Sequence, residues 1–468
     1  MRFINRTDEL NSLEREYKRK GSSFVVLYGR RRLGKTRLLR EFFQGKKGIF
    51  HASIEATRHI QLNRFRGHLA DFLKDRFLER SEVTDWEVLF DYLADRIAAQ
   101  YKETTEKIIL VIDEFQYLVK TDPALPSILQ QIWDHKLQHF PVMLILCGSA
   151  VSMMHEHVLN ASSPLYGRRT AQVRLRPVEF ADYGKFVKKD IKERLKFYSI
   201  TGGVPKYIEL IGDQKIKEFI SNVVLDVDGY LYEEPSFLLV DEIRKYVNYY
   251  SILQAISRGC RKVADIGSFI GLSAQALGPY LEILKEMHLI ERIVPITEQM
   301  PHKSRKGLYT MADPFAAFWF RYIPRYFSEL EQGRKNHILK IIMEDLPNHM
   351  GPIFENICKN VISRPKFREQ NDFSINDSPK VGSWWNRQNE IDIVAIDEQK
   401  STLILGECKL GQAGYREIAS LQNKGLEVID HYQPKRVVYA VFADRITGIQ
   451  KNEEILTVNL NKLESYFD

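Results

Sequence analysis

Hydrophobic positions in the first third of the chain fall into short unbroken runs separated by amphipathic stretches. The runs Phe24–Tyr28, Gly48–Ser53, Lys107–Ile112, Val142–Cys147 and Ala171–Leu175 read as buried strands. Helical spacing lies between them, as over Arg37–Phe43 and Trp86–Gln100. Strands alternating with helices predict a parallel α/β sheet over residues 1–175. Residues 176–238 read as a helical lid, broken at Gly202-Gly203-Val204-Pro205.

The pattern then changes. Residues 239–325 predict helix Lys245–Ser257, short helix Val263–Ile270, a tight turn at Gly271, and a helix capped by Ser273 running to His288. Two strands follow, Ile290–Ile296 and Gly307–Thr310, joined by a basic loop. This is the element order of a winged helix-turn-helix. Residues 326–343 are polar and helical and read as a linker. Residues 344–468 return to α/β, with strands Glu390–Ile396, Leu403–Glu407 and Arg436–Phe442.

Composition narrows the class. A chain of 468 residues, 44% hydrophobic and 28% charged, is ordinary for a globular protein and long enough for about three domains. No apolar run is long enough to span a bilayer, which argues against a membrane partner. The residues Met1–Arg6 lack the apolar core of a secretory leader. Cys147, Cys260, Cys358 and Cys408 form no C-x-x-C pair and suit reduced thiols in a cytoplasmic protein. The net charge of +7 permits nucleic-acid binding without requiring it.

The strongest chemical signal is Gly29, Arg30, Arg31, Arg32, Leu33, Gly34, Lys35 and Thr36, followed by Arg37. The form G-x-x-x-x-G-K-[ST], set between strand and helix, is a phosphate-binding loop. Its backbone N–H groups cradle phosphates, Lys35 reaches the β- and γ-phosphates, and Thr36 ligates Mg²⁺. The run Lys107–Ile112 leads into Asp113 and Glu114. Asp113 would hold the Mg²⁺ shell, and Glu114 would orient and deprotonate the attacking water. Ser149, after the next strand, stands where a short polar side chain could help position that water. Arg168, beside Arg169, could stabilise γ-phosphate charge from a neighbouring subunit of a homo-oligomer.

Several of these segments together resemble a known family. They are Phe3–Leu10, the triple arginine of the loop, Ile112–Tyr117, Leu146–Ser149, Pro164–Arg168 and Gly202–Pro205. They are similar to archaeal-type ATPases of the AAA+/STAND branch of P-loop proteins, over about the first 320 residues. The resemblance implies ATP as the nucleotide, a nucleotide-driven switch, and a winged helix after the lid. In such a module the third helix would offer Gln275 to base edges, and Lys303, Arg305 and Lys306 of the wing would touch phosphates of DNA. The same module also serves as a clamp on the nucleotide domain.

The C-terminal strands carry a second constellation. Asp392 lies on one apolar strand, and Glu407 and Lys409 lie two apart on the next, across a turn at Asp397–Thr402. Two-residue spacing puts both side chains on one face. Paired carboxylates suit a hard divalent ion, Mg²⁺ or Mn²⁺, with Lys409 steadying the water or phosphate. This resembles the PD-(D/E)xK nuclease core, in which a preceding helix adds a glutamate; Glu355 fits, and Gln422 could come from the following helix. The bare motif arises by chance about once in a chain of this composition, so its weight comes from the adjacent apolar strands. A surface salt bridge of Lys409 is the plain alternative.

Two function classes follow. One is an ATP-hydrolysing enzyme acting on DNA, with Mg²⁺-dependent endonuclease chemistry in its tail. The other is an ATP-driven signalling or scaffolding switch whose tail only binds nucleic acid or protein.

Overall fold

The computed structural model describes residues 4–101, 106–242, 246–373, 379–450 and 453–467. Phe3 of the Phe3–Leu10 segment and the expected helix start at Lys245 fall outside this set. The chain divides into two compact units: Met1–Pro177 with Phe237–Tyr246, and Val178–Ser236 with Val247–Asp468.

The first unit is built on a five-stranded sheet of β1 (Ser23–Tyr28), β2 (Gly48–Ala52), β3 (Ile108–Asp113), β4 (Val142–Gly148) and β5 (Ala171–Arg174). Their order is β2-β3-β4-β1-β5, and every pairing is parallel. All residues of β1, β3 and β4 are buried, which is why they read as continuous apolar runs rather than alternating ones. The C-terminal ends of β1, β3 and β4 therefore deliver Gly29, Asp113 and Ser149 to one edge of the sheet, the position where open α/β sheets bind ligands.

The second unit begins with a short helix, Phe180–Tyr183, followed by the helices Ile191–Thr201 and Pro205–Glu209. The break between the latter two is steric. A Cβ on Gly203 would lie 1.8 Å from the Val178 carbonyl oxygen, and Pro205 starts the later helix, where its missing N–H costs nothing. Helices Tyr246–Ser257, Val263–Ile270 and Ala274–Glu286 follow, then the antiparallel pair β6 (Ile290–Ile293) and β7 (Leu308–Met311). Both strands end earlier or start later than the hydrophobic pattern predicts. The loop between them folds back instead of extending, because the Arg292 guanidinium donates to the carbonyls of Pro301 at 2.7 Å and Ser304 at 2.6 Å.

The expected linker over 326–343 is not a separate element. A short helix, Phe327–Glu331, stops before Gly333, and one helix then runs from Lys335 to Ile362 through the expected boundary at 344. It is held by burial of Ile338, Ile342, Leu346, Met350 and Phe354, and by His349, which shares a 2.7 Å hydrogen bond with the Ser199 carbonyl. Burial pushes this imidazole down to about 4, so it stays neutral at physiological pH.

The helix packs on a mixed sheet of β8 (Lys380–Trp385), β9 (Glu390–Asp397), β10 (Thr402–Ala413), β11 (Arg436–Ile446) and β12 (Ile455–Asn459), ordered β12-β11-β10-β9-β8. β8, β9 and β10 form an antiparallel meander. The helix Tyr415–Lys424 then returns the chain to β11, parallel to β10. Trp384, Val394, Leu403, Leu405 and Leu421 fill the core on one face, so Trp384 is a packing residue. The backbone N–H of Ile296 donates to the Ser383 carbonyl at 2.9 Å, which stitches the segment after β6 to β8.

Candidate functional site

The phosphate loop occupies the turn between β1 and the helix Lys35–Phe43. Gly34 sits at φ 89° as the residue before the helix, a conformation that β-carbons disfavour. Gly29 passes so close to β5 that a Cβ would meet the Leu175 carbonyl oxygen at 2.5 Å. Leu33 is buried beneath the loop, and Arg6 donates to its carbonyl at 3.3 Å. Arg30 is buried; Arg31 donates to the Tyr117 hydroxyl at 2.7 Å; Arg32 is half-buried at φ 69°; Arg37 is exposed on the helix.

Lys35 is buried, and its ammonium donates to the carbonyls of Gly29 at 2.7 Å and Arg30 at 3.0 Å. Thr36 Oγ1 donates to Asp113 Oδ2 at 2.7 Å. These are hard oxygen donors beside a helix N-terminus, so the residues fit Mg²⁺ and a phosphate chain. Glu114 follows in the left-handed region at φ 52°, ψ 46°, and its N–H donates to Asp113 Oδ1 at 3.0 Å. That kink separates the two acids. Asp113 turns to the loop, while Glu114 Oε2 accepts from Ser149 Oγ at 2.7 Å.

Gln116, which no motif in the sequence marks as functional, completes the group. Its amide nitrogen donates to Glu114 Oε2 and, at 3.1 Å, to Ser149 Oγ. Its amide oxygen is only 2.9 Å from where a Cβ on Gly148 would sit, so the glycine gives it room. The segment Ile112–Tyr117 carries Gln116 in plain view, but only the fold shows that it faces β4.

Arg168 is placed elsewhere. Its guanidinium makes a bidentate pair with Asp134, at 2.8 and 2.7 Å, and donates to the carbonyls of Pro164 and Tyr166. Hydrogen bonding to Arg168 holds Asp134 below the usual carboxylate range. Within one chain the guanidinium is thus held by an acid 34 residues away in sequence, and a role on the γ-phosphate of a neighbouring subunit would require it to leave this pair.

The C-terminal constellation is assembled by the β9–β10 turn. The β9–β10 ladder pairs Ile393 with Gly406, so Asp392 and Glu407 face each other one step further on. Asp392 Oδ2 accepts from the Cys408 N–H at 2.8 Å. Lys409 pairs with Glu407 Oε1 at 3.0 Å, as the plain salt-bridge alternative expects. A second lysine, Lys424, stands 3.7 Å from Glu407 Oε2. It comes from the helix expected to supply Gln422, which is exposed instead. Helical geometry put two candidates a half-turn apart, and only the packing of that helix distinguishes them.

Glu355 joins this group from the long helix. Burial, then the charge of Asp392, pushes its carboxyl up to about 7; burial, then Glu407, pushes Asp392 up to about 6. Burial pulls Lys409 down, but its bond to Glu407 outweighs that and holds it above its ordinary value. Glu407 Oε2 is buried without a hydrogen-bond partner. Hard carboxylate oxygens short of positive charge suit a divalent cation in donor chemistry. As the side chains lie, no cluster of three or more acids, histidines or cysteines among the described residues is arranged to hold one.

Of the remaining groups, Gln275 is exposed near the start of the helix Ala274–Glu286, behind the Ser273 cap that accepts from the Ala276 N–H at 3.3 Å. Lys303, Arg305 and Lys306 are exposed on the loop between β6 and β7, where Lys306 pairs with Glu298 at 2.9 Å.

Residues 3–211 match the family described as an ATPase domain predominantly from Archaea. Along its length the chain is 30% identical, over 464 residues, to the uncharacterised protein MJECL04 of Methanocaldococcus jannaschii, covering 97% of this chain and 98% of that one. The chain belongs to this archaeal ATPase family. Residues 319–421 of this archaeal-type ATPase match a second family, described as archaeal and bacterial proteins of unknown function. A segment of 52 residues is 48% identical to the uncharacterised ATP-binding protein MJ0423 of the same organism, covering 11% of this chain and 86% of that protein. Among solved structures, it is similar to the Walker-type ATPase PABY2304 of Pyrococcus abyssi, with a TM-score of 0.48, 21% identity, and 68% and 96% of the two chains covered. The Aeropyrum pernix ORC2 protein gives a TM-score of 0.43 at 13% identity, covering 73% and 96%. No helix among the described residues is long and apolar enough to cross a membrane.

Proposed function

We propose that this archaeal-type ATPase binds ATP with Mg²⁺ on the Gly29–Thr36 loop and hydrolyses it through Glu114. One observation carries the reading: the kink at Glu114 splits Asp113 toward Thr36 and Glu114 toward Ser149. Lys35 would leave its loop carbonyls for the β- and γ-phosphates, and Thr36 and Asp113 would hold the metal, which supplies charge neutralisation on the phosphates. Glu114 would take the proton of the attacking water, with Ser149 and Gln116 fixing its carboxylate. The test is phosphate release with Glu114→Gln and Lys35→Ala. Glu114→Gln should keep ATP binding and lose turnover, while Lys35→Ala should weaken both.

In this reading the protein acts on DNA. The three helices from Tyr246 to Glu286 with the β6–β7 pair form a winged helix-turn-helix that contacts DNA through Gln275 and the Lys303–Lys306 loop. Support comes from the exposure of both and from the clipped loop geometry. The tail is a PD-(D/E)xK-like module. There Asp392, Glu407 and Glu355 would hold Mg²⁺, which would polarise a phosphodiester, and Lys409 would orient the water. Support comes from the helix, meander, helix, parallel-strand order and the raised carboxyls. Mn²⁺ at this site and a homo-oligomer remain part of the proposal only as conditions to include in the assay. Cleavage of supercoiled, branched and single-stranded DNA with either metal, with and without ATP, tests it. Loss of cutting in Asp392→Ala would support it.

A second reading has its own observation. Lys409 and Lys424 both stand within ion-pair distance of Glu407, one at each carboxylate oxygen. This favours a tail that binds nucleic acid or protein without cutting, driven by an ATP switch. Intact ATPase activity with no cleavage of any DNA would select it.

A further inference from the structure

A cleft of about 630 Å³ opens where the ends of helices Tyr246–Ser257 and Pro314–Tyr322 meet the long helix, and it uses none of the residues of either candidate site. Three arginines from different turns converge on it: Arg258, Arg321 and Arg325. Each guanidinium rests over an aromatic ring, Arg258 over Phe269 at 5.6 Å, Arg321 over Tyr322 at 5.7 Å and Arg325 over Tyr326 at 5.3 Å. A cation–π contact at this range holds a guanidinium near a ring without using its N–H donors, and those of Arg258 and Arg325 stay available.

The lining contains one carboxylate, Asp345, and it is fully used. Asp345 accepts from Arg321 at 2.8 and 2.7 Å, from the Tyr322 hydroxyl at 2.8 Å and from the Asn348 amide at 2.8 Å. Arg258 and Arg325 have no carboxylate within ion-pair distance among the described residues. Two unpaired guanidiniums on one concave surface repel each other and focus a positive field there. The neutral lining adds the Gln254 amide, whose N–H groups can donate to an anion.

We propose that this cleft binds neighbouring phosphate groups, Arg258 and Arg325 each forking onto one of them. A planar guanidinium matches two phosphate oxygens at once, and the space exceeds what one phosphate fills. Two sources supply that chemistry, the backbone of a nucleic-acid strand and a free polyphosphate. The inference goes beyond the proposed DNA contacts, which use the β6–β7 loop, and it does not depend on the acid cluster cutting anything.

The experiment uses the full chain carrying Lys35→Ala, so that the phosphate loop does not compete. Binding of labelled duplex and single-stranded DNA is followed by fluorescence anisotropy over a salt series, and binding of inorganic pyrophosphate by calorimetry. Arg258→Ala with Arg325→Ala should lower affinity for at least one of these probes about tenfold or more. If the source is a strand, the slope of log K against log salt should also fall by about 2. Arg258→Lys with Arg325→Lys should keep the slope but not the full affinity, because an ammonium cannot fork. Both arginines are exposed, so an unchanged melting temperature is expected and excludes misfolding as the cause. A DNA effect without a pyrophosphate effect assigns the strand; the reverse assigns a free polyphosphate. Unchanged binding of every probe overturns the proposal. If Lys303→Ala with Arg305→Ala alone then weakens DNA binding, the DNA reading survives without this cleft.

Discussion

The two acid-bearing sites of this protein differ in how their charges are matched. At the phosphate loop the three groups that would act on the nucleotide are each hydrogen-bonded: Lys35 to loop carbonyls, Asp113 to Thr36, Glu114 to Ser149 and Gln116. At β9 and β10, Glu355 and Asp392 are crowded together, and both hold their protons above the normal range. A site whose groups are already bonded can be rigid without its ligand. A site with surplus negative charge relieves it by protonation, by lysine, or by a cation. The first is built around its substrate's shape and the second around a missing charge.

The largest expected effect sharpens the first half of the contrast. Glu114→Gln should lower ATP turnover by about 10²–10⁴-fold with nucleotide affinity nearly unchanged, measured by phosphate release and by fluorescent-nucleotide binding. Retained turnover would remove Glu114 from the chemistry. Next is the response to metal. Mg²⁺ at about a hundred times its Kd should add about 2.7 kcal/mol of stability through a cation site at β9 and β10, and Asp392→Asn should remove that increment. It is read by thermal melts of Lys35→Ala protein, with chelator as the reference. An increment that survives in Asp392→Asn would place the cation elsewhere.

The third prediction concerns pH. A carboxyl whose folded pKa exceeds its unfolded value keeps its proton more firmly when folded, so stability falls as pH rises between the two values. Asp392 rises from 3.8 to about 6. Without divalent metal, Asp392→Asn should match the parent near pH 4, gain on it through pH 6, and lead by on the order of 2 kcal/mol at pH 8. Chemical denaturation at three pH values checks it, and a constant difference across them would contradict the crowding. The smallest effect returns to the matched site. Gly148→Ala would bring a methyl to 2.3 Å from Met154 Sδ and 2.9 Å from Gln116 Oε1, costing about 1–2 kcal/mol. Gln116 should shift with it, so turnover should fall more than stability alone explains.

The strands of the first sheet and β9, β10 and β11 of the second were legible because burial writes itself as apolar runs, whereas β8 and β12 are partly exposed and carry no such run; the loop was legible because its chemistry is local in sequence. Asp392 opposite Glu407 could be read from a short turn between two apolar strands. What was not legible depends on partners distant in sequence. Gln116 and Lys424 are polar residues on helices, and nothing local marks which face meets a strand. Arg168 sat in a suggestive segment, but Asp134, on the helix Leu125–His135, pairs with its guanidinium. The division at 326–343 failed for a related reason. Polar spacing there reflects the exposed side of a helix whose other side is buried, and neither Pro347 nor Pro352 ends it.

The single rung between Ile296 and Ser383 has a practical consequence for dissecting the molecule. β8 terminates its sheet, and an open sheet margin is a template for pairing with a second chain. In the intact protein the segment after β6 covers part of that margin, and Tyr432 clasps it by donating to the Ile296 carbonyl at 3.1 Å. A fragment trimmed to begin at the long helix would lose this cover. It should self-associate, so insolubility of such a fragment would reflect a stripped edge and not an inability to fold.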